Sequence, residues 1–400
     1  MDTFLSLIES IRSDQADAAR IFSGEGASVR LASQGRRASE PAYLSRLALF
    51  AEVFANAVTG GSHRDIYLLK EAMSTSDFPL LFGDVIDRSM LGKYREWAPT
   101  WPAYAGRKEV RDFRDVKEFD VMGGEAPLGI VPQGDEYPER KLDESKIQWG
   151  VKKYGAAMPF LWEAFVNDDF DELSRVPERF ARAARRTEDL FATELHVDAN
   201  GPHASLYTAG NKNIINVANG GASNNPALSI AGLQDGYTVL AGQTDSDGQP
   251  ILIEVVTLEV PPALQVTAEN ILNAIQLELI EAGGVTNQKL IAQNWMKSKV
   301  QLVVNPYIPY VASTANGKTS WFLHAAPAAG RPALRMGFLR GRAEPELFMK
   351  APNAVRVGGG EVSPFDGSFE NDGIAYKIRY VLGGSRIDPK MTVASNGSGA

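Results

Sequence analysis

The chain has 400 residues, of which 44% are hydrophobic and 22% are charged, a composition typical of a folded globular protein. It contains four histidines but no cysteine. The absence of cysteine excludes disulfides, thiolate catalysis and cysteine-ligated metal sites. Forty-nine acidic against forty-one basic residues give a net charge of −8, which argues against tight, sequence-specific binding of nucleic acid.

Residues 1–75 are predicted to form arms and not a domain of their own. Phe4, Leu7, Ile8 and Ile11 share one face of a predicted helix, and a second helical pattern covers residues 43–58. Two short apolar helices joined by a linker rich in Gly, Ser and Arg cannot bury their apolar faces alone, so we expect them to need a partner surface. The N-terminus lacks a signal peptide and no segment has the roughly 20 apolar residues of a membrane span, so we expect no membrane crossing.

Residues 107–150 form a long, charged excursion that is too polar to build its own core. Positive and negative side chains alternate in its first half, where the apolar residues recur at every third position and fit neither a helix nor a strand. Its return half is clearer, because Ile147, Trp149 and Val151 alternate with polar residues as in a half-exposed strand. We expect such an excursion to be marginally stable in isolation.

The strongest predicted helix covers residues 174–197. Ser174 suits its N-cap, Pro177 suits its first turn, and apolar residues follow at helical spacing. The other face carries five arginines: Arg175, Arg179, Arg182, Arg185 and Arg186. Three explanations of this basic face stay open, namely a solvated surface, a contact with an acidic neighbouring subunit and a contact with DNA phosphates; of the two contacts, we favour the one between subunits.

The second half of the chain predicts mixed structure. Residues 201–226 read as an extended surface loop, and Thr267 as the cap of a helix that reaches Leu279. Short apolar runs predict strands at residues 237–240, 251–260, 300–304, 320–324, 347–349 and 374–382. Strands with a few inserted helices indicate an α+β fold.

No candidate motif carries the chemistry of a catalytic or cofactor site. Gly317-Lys318-Thr319 ends like a phosphate loop, but Ala312 replaces the required glycine, so we expect a hairpin turn. Asp245–Gly248 begins like a calcium loop, but Pro250 and Val256 stand at essential positions. We expect no catalytic, cofactor-binding or metal-binding residue, and we expect His196 and His324 to be packed histidines.

The order of segments resembles the major capsid protein of tailed double-stranded DNA bacteriophages, which has the Hong Kong 97 fold, and most closely the Mu-like prophage head-subunit branch. The likeness covers about residues 76–392. It is carried by Phe160-Leu161-Trp162-Glu163 and Asn167-Asp168-Asp169, Gln243-Thr244-Asp245-Ser246-Asp247-Gly248-Gln249-Pro250, Leu258-Glu259-Val260-Pro261-Pro262, Trp321-Phe322-Leu323-His324-Ala325 and Gly373-Ile374-Ala375-Tyr376-Lys377-Ile378-Arg379.

This resemblance implies a domain plan. Residues 1–106 would form the N-terminal arm and helices, 107–150 the extended loop, 151–226 and 335–386 a peripheral domain with the long spine helix, 227–334 the axial domain, and 387–400 a C-terminal tail. The acidic loop residues Asp135, Glu136 and Glu139 would then face Arg175, Arg179, Arg182 and Arg186 of a neighbouring subunit.

The resemblance implies a structural head protein that self-assembles into hexamers and pentamers of an icosahedral virion around double-stranded DNA, without enzymatic activity or cofactors. Its partners would be itself, the portal, scaffold or decoration proteins and non-specifically bound DNA, but no membrane, and assembly would take place in the host bacterial cytoplasm. Two alternatives are an encapsulin-type nanocompartment shell and a soluble carboxylate hydrolase.

Overall fold

The computed structural model describes residues 41–58, 78–122, 143–161, 176–244, 248–251, 253, 255–274, 276–281, 288–327, 331–350 and 373–398. The helices are α1 (Pro41–Val58), α2 (Phe78–Glu96), α3 (Val176–His196), α4 (Ile230–Ala241), α5 (Gln265–Asn273), α6 (Met296–Lys299), α7 (Ile308–Val311) and α8 (Asn316–Thr319). The predicted helix at Phe4 to Ile11 lies outside the described residues.

Strands account for most of the remaining described elements. They are β1 (Ala105–Val110), β2 (Val116–Met122), β3 (Asp143–Trp149), β4 (Val151–Leu161), β5 (Val197–Asp198), β6 (Gly201–Pro202), β7 (Val256–Val260), β8 (Gln276–Glu281), β9 (Gln288–Gln293), β10 (Val300–Val304), β11 (Trp321–Ala325), β12 (Leu334–Leu339), β13 (Glu346–Met349), β14 (Gly373–Arg386) and β15 (Thr392–Ser395). The mixture confirms the α+β prediction.

The chain divides into two compact units. The first unit contains Met1–Ala98, Lys153–Arg186 and Arg342–Val381, and the second contains Pro99–Lys152, Thr187–Gly341 and Leu382–Ala400.

The described part of the first unit contains α1, α2, the strand pair β13–β14, and residues 153–161 of β4 and 176–186 of α3. Helix α1 packs against α2, and Leu47, Phe50 and Ala51 of α1 are buried. This helix was expected to need a partner surface, and for Leu47 and Phe50 that surface lies within the chain, because α2 packs against α1. Strands β13 and β14 pair antiparallel, with Glu346 opposite Arg379.

Besides three two-stranded pairs, the described part of the second unit contains two larger sets of paired strands. In one set β12 lies between β1, with which it pairs parallel, and the end of β14, with which it pairs antiparallel. In the other set the order is β10-β7-β11-β15, with β10 and β7 parallel and the other pairs antiparallel. Every residue of β7 and β11 is buried, so this second set forms the centre of the unit's core.

The charged excursion contains an antiparallel hairpin. Strand β2 pairs with β3 from Val116 opposite Trp149 to Met122 opposite Asp143. Residues 116–122, in the half that the sequence left unassigned, thus form a strand, and the strand predicted at Ile147 and Trp149 is confirmed. Residues 123–142, between the two strands, lie outside the described residues.

Three local predictions are wrong. Residues 237–240 lie in helix α4, which begins where Ser229 Oγ accepts a hydrogen bond from the Gly232 amide. The helix predicted from Thr267 to Leu279 ends at Asn273, and Leu279 lies in β8. Residues 316–319 form a single helical turn, not a hairpin turn.

The segment 201–226 also differs from its prediction as a surface loop. It is irregular, but Leu206, Tyr207 and Ile215 are buried, as is Asn213. The Asn213 side-chain amide donates to the carbonyl oxygens of Leu206 and Pro389, each at 2.9 Å. Side chains of this kind satisfy backbone groups that lack a strand or helix partner, which allows an irregular segment to be buried.

Candidate functional site: an arginine face and a buried histidine–glutamate cluster

The predicted arginine face lies on the part of α3 that belongs to the first unit. Arg179, Arg182 and Arg186 are exposed, and their spacing of three and four residues places them on one side of the helix. Arg182 pairs with Glu178 one turn earlier, and its guanidinium lies 4.8 Å from the centre of the Trp97 ring. Among the residues described, Arg179 and Arg186 have no ion pair.

Arg185 does not belong to this exposed face. Its Nε donates a 2.8 Å hydrogen bond to the Tyr94 carbonyl oxygen, and its guanidinium lies 3.6 Å from the centre of the Tyr94 ring. This half-buried arginine therefore fixes α3 to α2 within the first unit.

The other predicted contact residues cannot be placed. Arg175 and the acidic residues Asp135, Glu136 and Glu139 lie outside the described residues. The structure thus positions one side of the predicted contact, the exposed arginines, and leaves the pairing between them and the acidic loop residues as a prediction.

A second candidate site is a fully buried cluster in the second unit. It consists of His196, the last residue of α3, Glu259 of β7 and His324 of β11, all with no exposed surface. Because β7 and β11 are adjacent and antiparallel, with Phe322 opposite Glu259, the side chains of Glu259 and His324 lie on the same face of the sheet. The end of α3 brings His196 to that face.

Both imidazoles approach the same carboxylate oxygen. Glu259 Oε2 lies 3.0 Å from His196 Nε2 and 2.9 Å from His324 Nε2. The geometry of the second contact is that of a hydrogen bond. The first contact is almost as short but meets the geometric criteria for a hydrogen bond less well.

Further polar groups hold the outer atoms of the cluster. Asn305 Nδ2 donates to Glu259 Oε1 at 2.6 Å. Ala192 O lies 3.1 Å from His196 Nδ1, and Thr392 Oγ1 lies 3.0 Å from His324 Nδ1. Thr392 Oγ1 is also 2.9 Å from the Tyr207 hydroxyl.

The surroundings set the charges of the cluster. Burial tends to raise the pKa of Glu259, but the two neighbouring histidines outweigh it and hold that pKa well below its usual range. Burial lowers the pKa of His324, although Glu259 acts in the opposite direction. Glu259 is therefore an anion at neutral pH, and His324 favours its neutral form.

His196 and His324 are buried, as expected from the sequence, but no sequence pattern connected them with Glu259. A signal was present, because Glu259 interrupts the apolar run 256–260, and a charge on a buried strand requires partners. The cluster has no exposed surface, so a substrate in solvent cannot reach these three side chains.

Comparison with known proteins identifies the family. The family model described as "Phage capsid protein" matches residues 145–395. No curated protein matches the sequence. Among the described residues, no helix combines the length and apolarity of a membrane span.

Solved structures similar to this chain include three from different sources. That of Gordonia phage Cozz has 15% sequence identity, covers 72% of this chain and 83% of that chain, and gives a TM-score of 0.41. The capsid of Ralstonia phage GP4 has 10% identity, 74% and 87% coverage and a TM-score of 0.44. The SrpI encapsulin complex from Synechococcus elongatus PCC 7942 has 8% identity, 73% and 85% coverage and a TM-score of 0.43. Because the family model matches more than half of the sequence, this chain belongs to the phage capsid protein family and is a structural protein of the capsid, not an enzyme.

Proposed function

We propose that this chain forms the hexamers and pentamers of an icosahedral phage head that encloses double-stranded DNA, and that Arg179, Arg182 and Arg186 contact carboxylates of the adjacent subunit. Membership of the phage capsid protein family supports the first part. The exposed arginine face is the observation that supports the second part.

The charge distribution favours a protein partner for this face. Three arginines on one side of a helix repel one another, and the chain that carries them has a net charge of −8. Arg182 already pairs with Glu178, so Arg179 and Arg186 offer the more available charges. An acidic segment of a neighbouring copy would relieve the repulsion and fix the orientation of the two subunits.

The acidic partner in this proposal is the extended loop, residues 107–150. Asp135, Glu136 and Glu139 belong to this segment and lie in the sequence between β2 and β3. An isolated two-stranded hairpin is marginally stable, so a loop of this kind gains stability when a neighbouring subunit supports it.

The domain plan and the finer assignments are part of the same proposal. It places the peripheral domain at residues 151–226 and 335–386, the axial domain at 227–334 and the tail at 387–400. It also includes the Mu-like branch, the portal and scaffold or decoration partners, non-specific contact with packaged DNA, and assembly in the host cytoplasm.

Charge reversal tests the subunit contact. The variants Arg179→Glu and Arg186→Glu should each lower the yield of closed particles about tenfold in negative-stain microscopy and sedimentation. A second change, Glu136→Lys or Glu139→Arg, should restore part of that yield because both partners are then reversed. Lys318→Glu is the control, since it makes the same charge change at an exposed position outside this face.

Two other outcomes would contradict the contact. Normal yields of empty shells combined with less retained DNA would assign the arginines to DNA phosphates. Normal shells with normal DNA content would leave this face solvated.

Particles that enclose a protein cargo in place of DNA would contradict the head function itself and indicate a nanocompartment shell.

A further inference from the structure

The buried cluster in the second unit brings together three side-chain atoms of the kinds that bind metal ions. Three donor atoms, one each from His196, Glu259 and His324, lie within 4.8 Å of one another. Two imidazole nitrogens and one carboxylate oxygen are a donor set that Zn²⁺ binds well. Chemistry at a protein surface does not explain the cluster, because all three side chains are fully buried.

The spacing of the donors is close to that of a zinc site. A tetrahedral ion about 2.1 Å from each donor places the donors about 3.4 Å apart. The two distances from Glu259 Oε2 to the Nε2 atoms of the histidines are 3.0 Å and 2.9 Å. An opening of about half an ångström, within the reach of small side-chain rotations, admits the ion.

The outer atoms of the ligands are held as in metal sites. Metal-binding histidines usually donate their second ring N–H to a carbonyl or another fixed acceptor, which turns the other nitrogen toward the metal. Ala192 O occupies this position for His196 Nδ1, and Thr392 Oγ1 occupies it for His324 Nδ1. Asn305 holds the second oxygen of Glu259 in the same way.

The environment of His196 Nε2 favours a metal site over a network of hydrogen bonds. In the tautomer whose Nδ1–H donates to Ala192 O, His196 Nε2 presents a lone pair to a carboxylate oxygen 3.0 Å away. A cation between the two atoms satisfies both, and a buried polar atom without a partner is otherwise costly.

The acidic and aromatic neighbours of the cluster also favour a bound cation. Buried Glu188 and half-buried Asp189 lie on α3 about two turns before His196, and with Glu259 they make the region acidic. The ring of Tyr104 stacks on His324 at 5.2 Å between centres and meets His196 edge-on at 5.3 Å. The ring of Phe322 lies edge-on to His196 at 5.0 Å. Aromatic walls of this kind exclude solvent and strengthen the attraction of an ion to its ligands.

We propose that His196, Glu259 and His324 bind a divalent transition-metal ion, best matched by Zn²⁺, which joins the end of α3 to strands β7 and β11. Either Glu259 Oε1 or a water molecule would complete the coordination. The site is structural, because the three ligands are closed to solvent and no substrate reaches the ion.

Zinc content of the full chain is the primary test. Protein expressed with added Zn²⁺ and purified without chelators should contain about one zinc ion per chain by elemental analysis, since a closed site fills during folding. Glu259→Gln and His324→Asn should each lower this content at least tenfold. His203→Ala is the matched control, because it removes a nearby histidine that is not a ligand and should leave the content unchanged.

A second measurement keeps the proposal testable where a variant fails to fold. X-ray absorption at the zinc edge of the unaltered protein should show two imidazole ligands and otherwise oxygen ligands. Zinc content below about a tenth of an ion per chain would overturn the proposal and leave a proton-linked network. Full zinc content in either ligand variant, or an edge spectrum without imidazole, would place the metal elsewhere.

Discussion

Trp149 Nε1 donates a 3.0 Å hydrogen bond to Glu118 Oε2 and so connects the two strands of the β2–β3 hairpin near its base. The other oxygen of Glu118 accepts a 2.8 Å hydrogen bond from Lys108 Nζ on β1 and pairs with Arg335 on β12. One carboxylate thus joins the hairpin to the paired strands of the second unit.

We expect Glu118→Gln to loosen the hairpin. The amide keeps an acceptor for Trp149 but loses the charge that balances Lys108 and Arg335, which should lower the free energy of unfolding by about 2 kcal/mol. Hydrogen exchange should become faster across β2 and β3. Lys117→Gln, on the neighbouring exposed side chain, is the control, and equal exchange in the two variants would contradict the role of Glu118.

The same tryptophan explains a glycine on β12. A Cβ atom at Gly337 would overlap the six-membered ring of Trp149, which is buried. Gly337→Ala should therefore destabilise the protein by about 2 kcal/mol through overpacking. Gly92→Ala is the matched control, because no atom lies within 4 Å of its added methyl group and alanine favours the α2 helix. Thermal unfolding should show opposite shifts, and a stable Gly337→Ala variant would contradict this packing.

The sequence predicted those elements whose local pattern has one interpretation. Helix α3 was predicted within two residues at each end, because its apolar spacing, proline and arginine face all indicate a helix. Strand β10 was predicted at its exact bounds. Helix α4 was misread because a short apolar run that is buried fits a strand as well as a helix, and only the Ser229 cap distinguishes them.

The buried cluster was beyond the reach of local patterns for a different reason. Glu259 and His324 are 65 positions apart, and only the antiparallel pairing of β7 and β11 brings them together. No spacing rule connects residues at such a separation. The arginine face, by contrast, was predictable because all its members lie on one helix. The exception is Arg185, whose side chain contacts Tyr94 on α2 and is not part of the exposed face.

The last prediction concerns helix α1 and follows from the burial of Leu47. Leu47 is fully buried in the first unit, whereas Leu49 on the same helix is 65% exposed. Leu47→Ala should lower the free energy of unfolding of the isolated subunit by about 3 kcal/mol, because it removes buried contacts and leaves a cavity. Leu49→Ala should change that stability by less than about 0.5 kcal/mol. If α1 acted only as an arm that binds a neighbouring subunit, both variants would unfold like the unaltered chain and differ from it only in particle assembly. Chemical denaturation of unassembled subunits, followed by sedimentation of assembled particles, therefore separates a helix of the subunit core from an assembly arm. A loss of stability confined to Leu47→Ala assigns α1 to the core of the subunit.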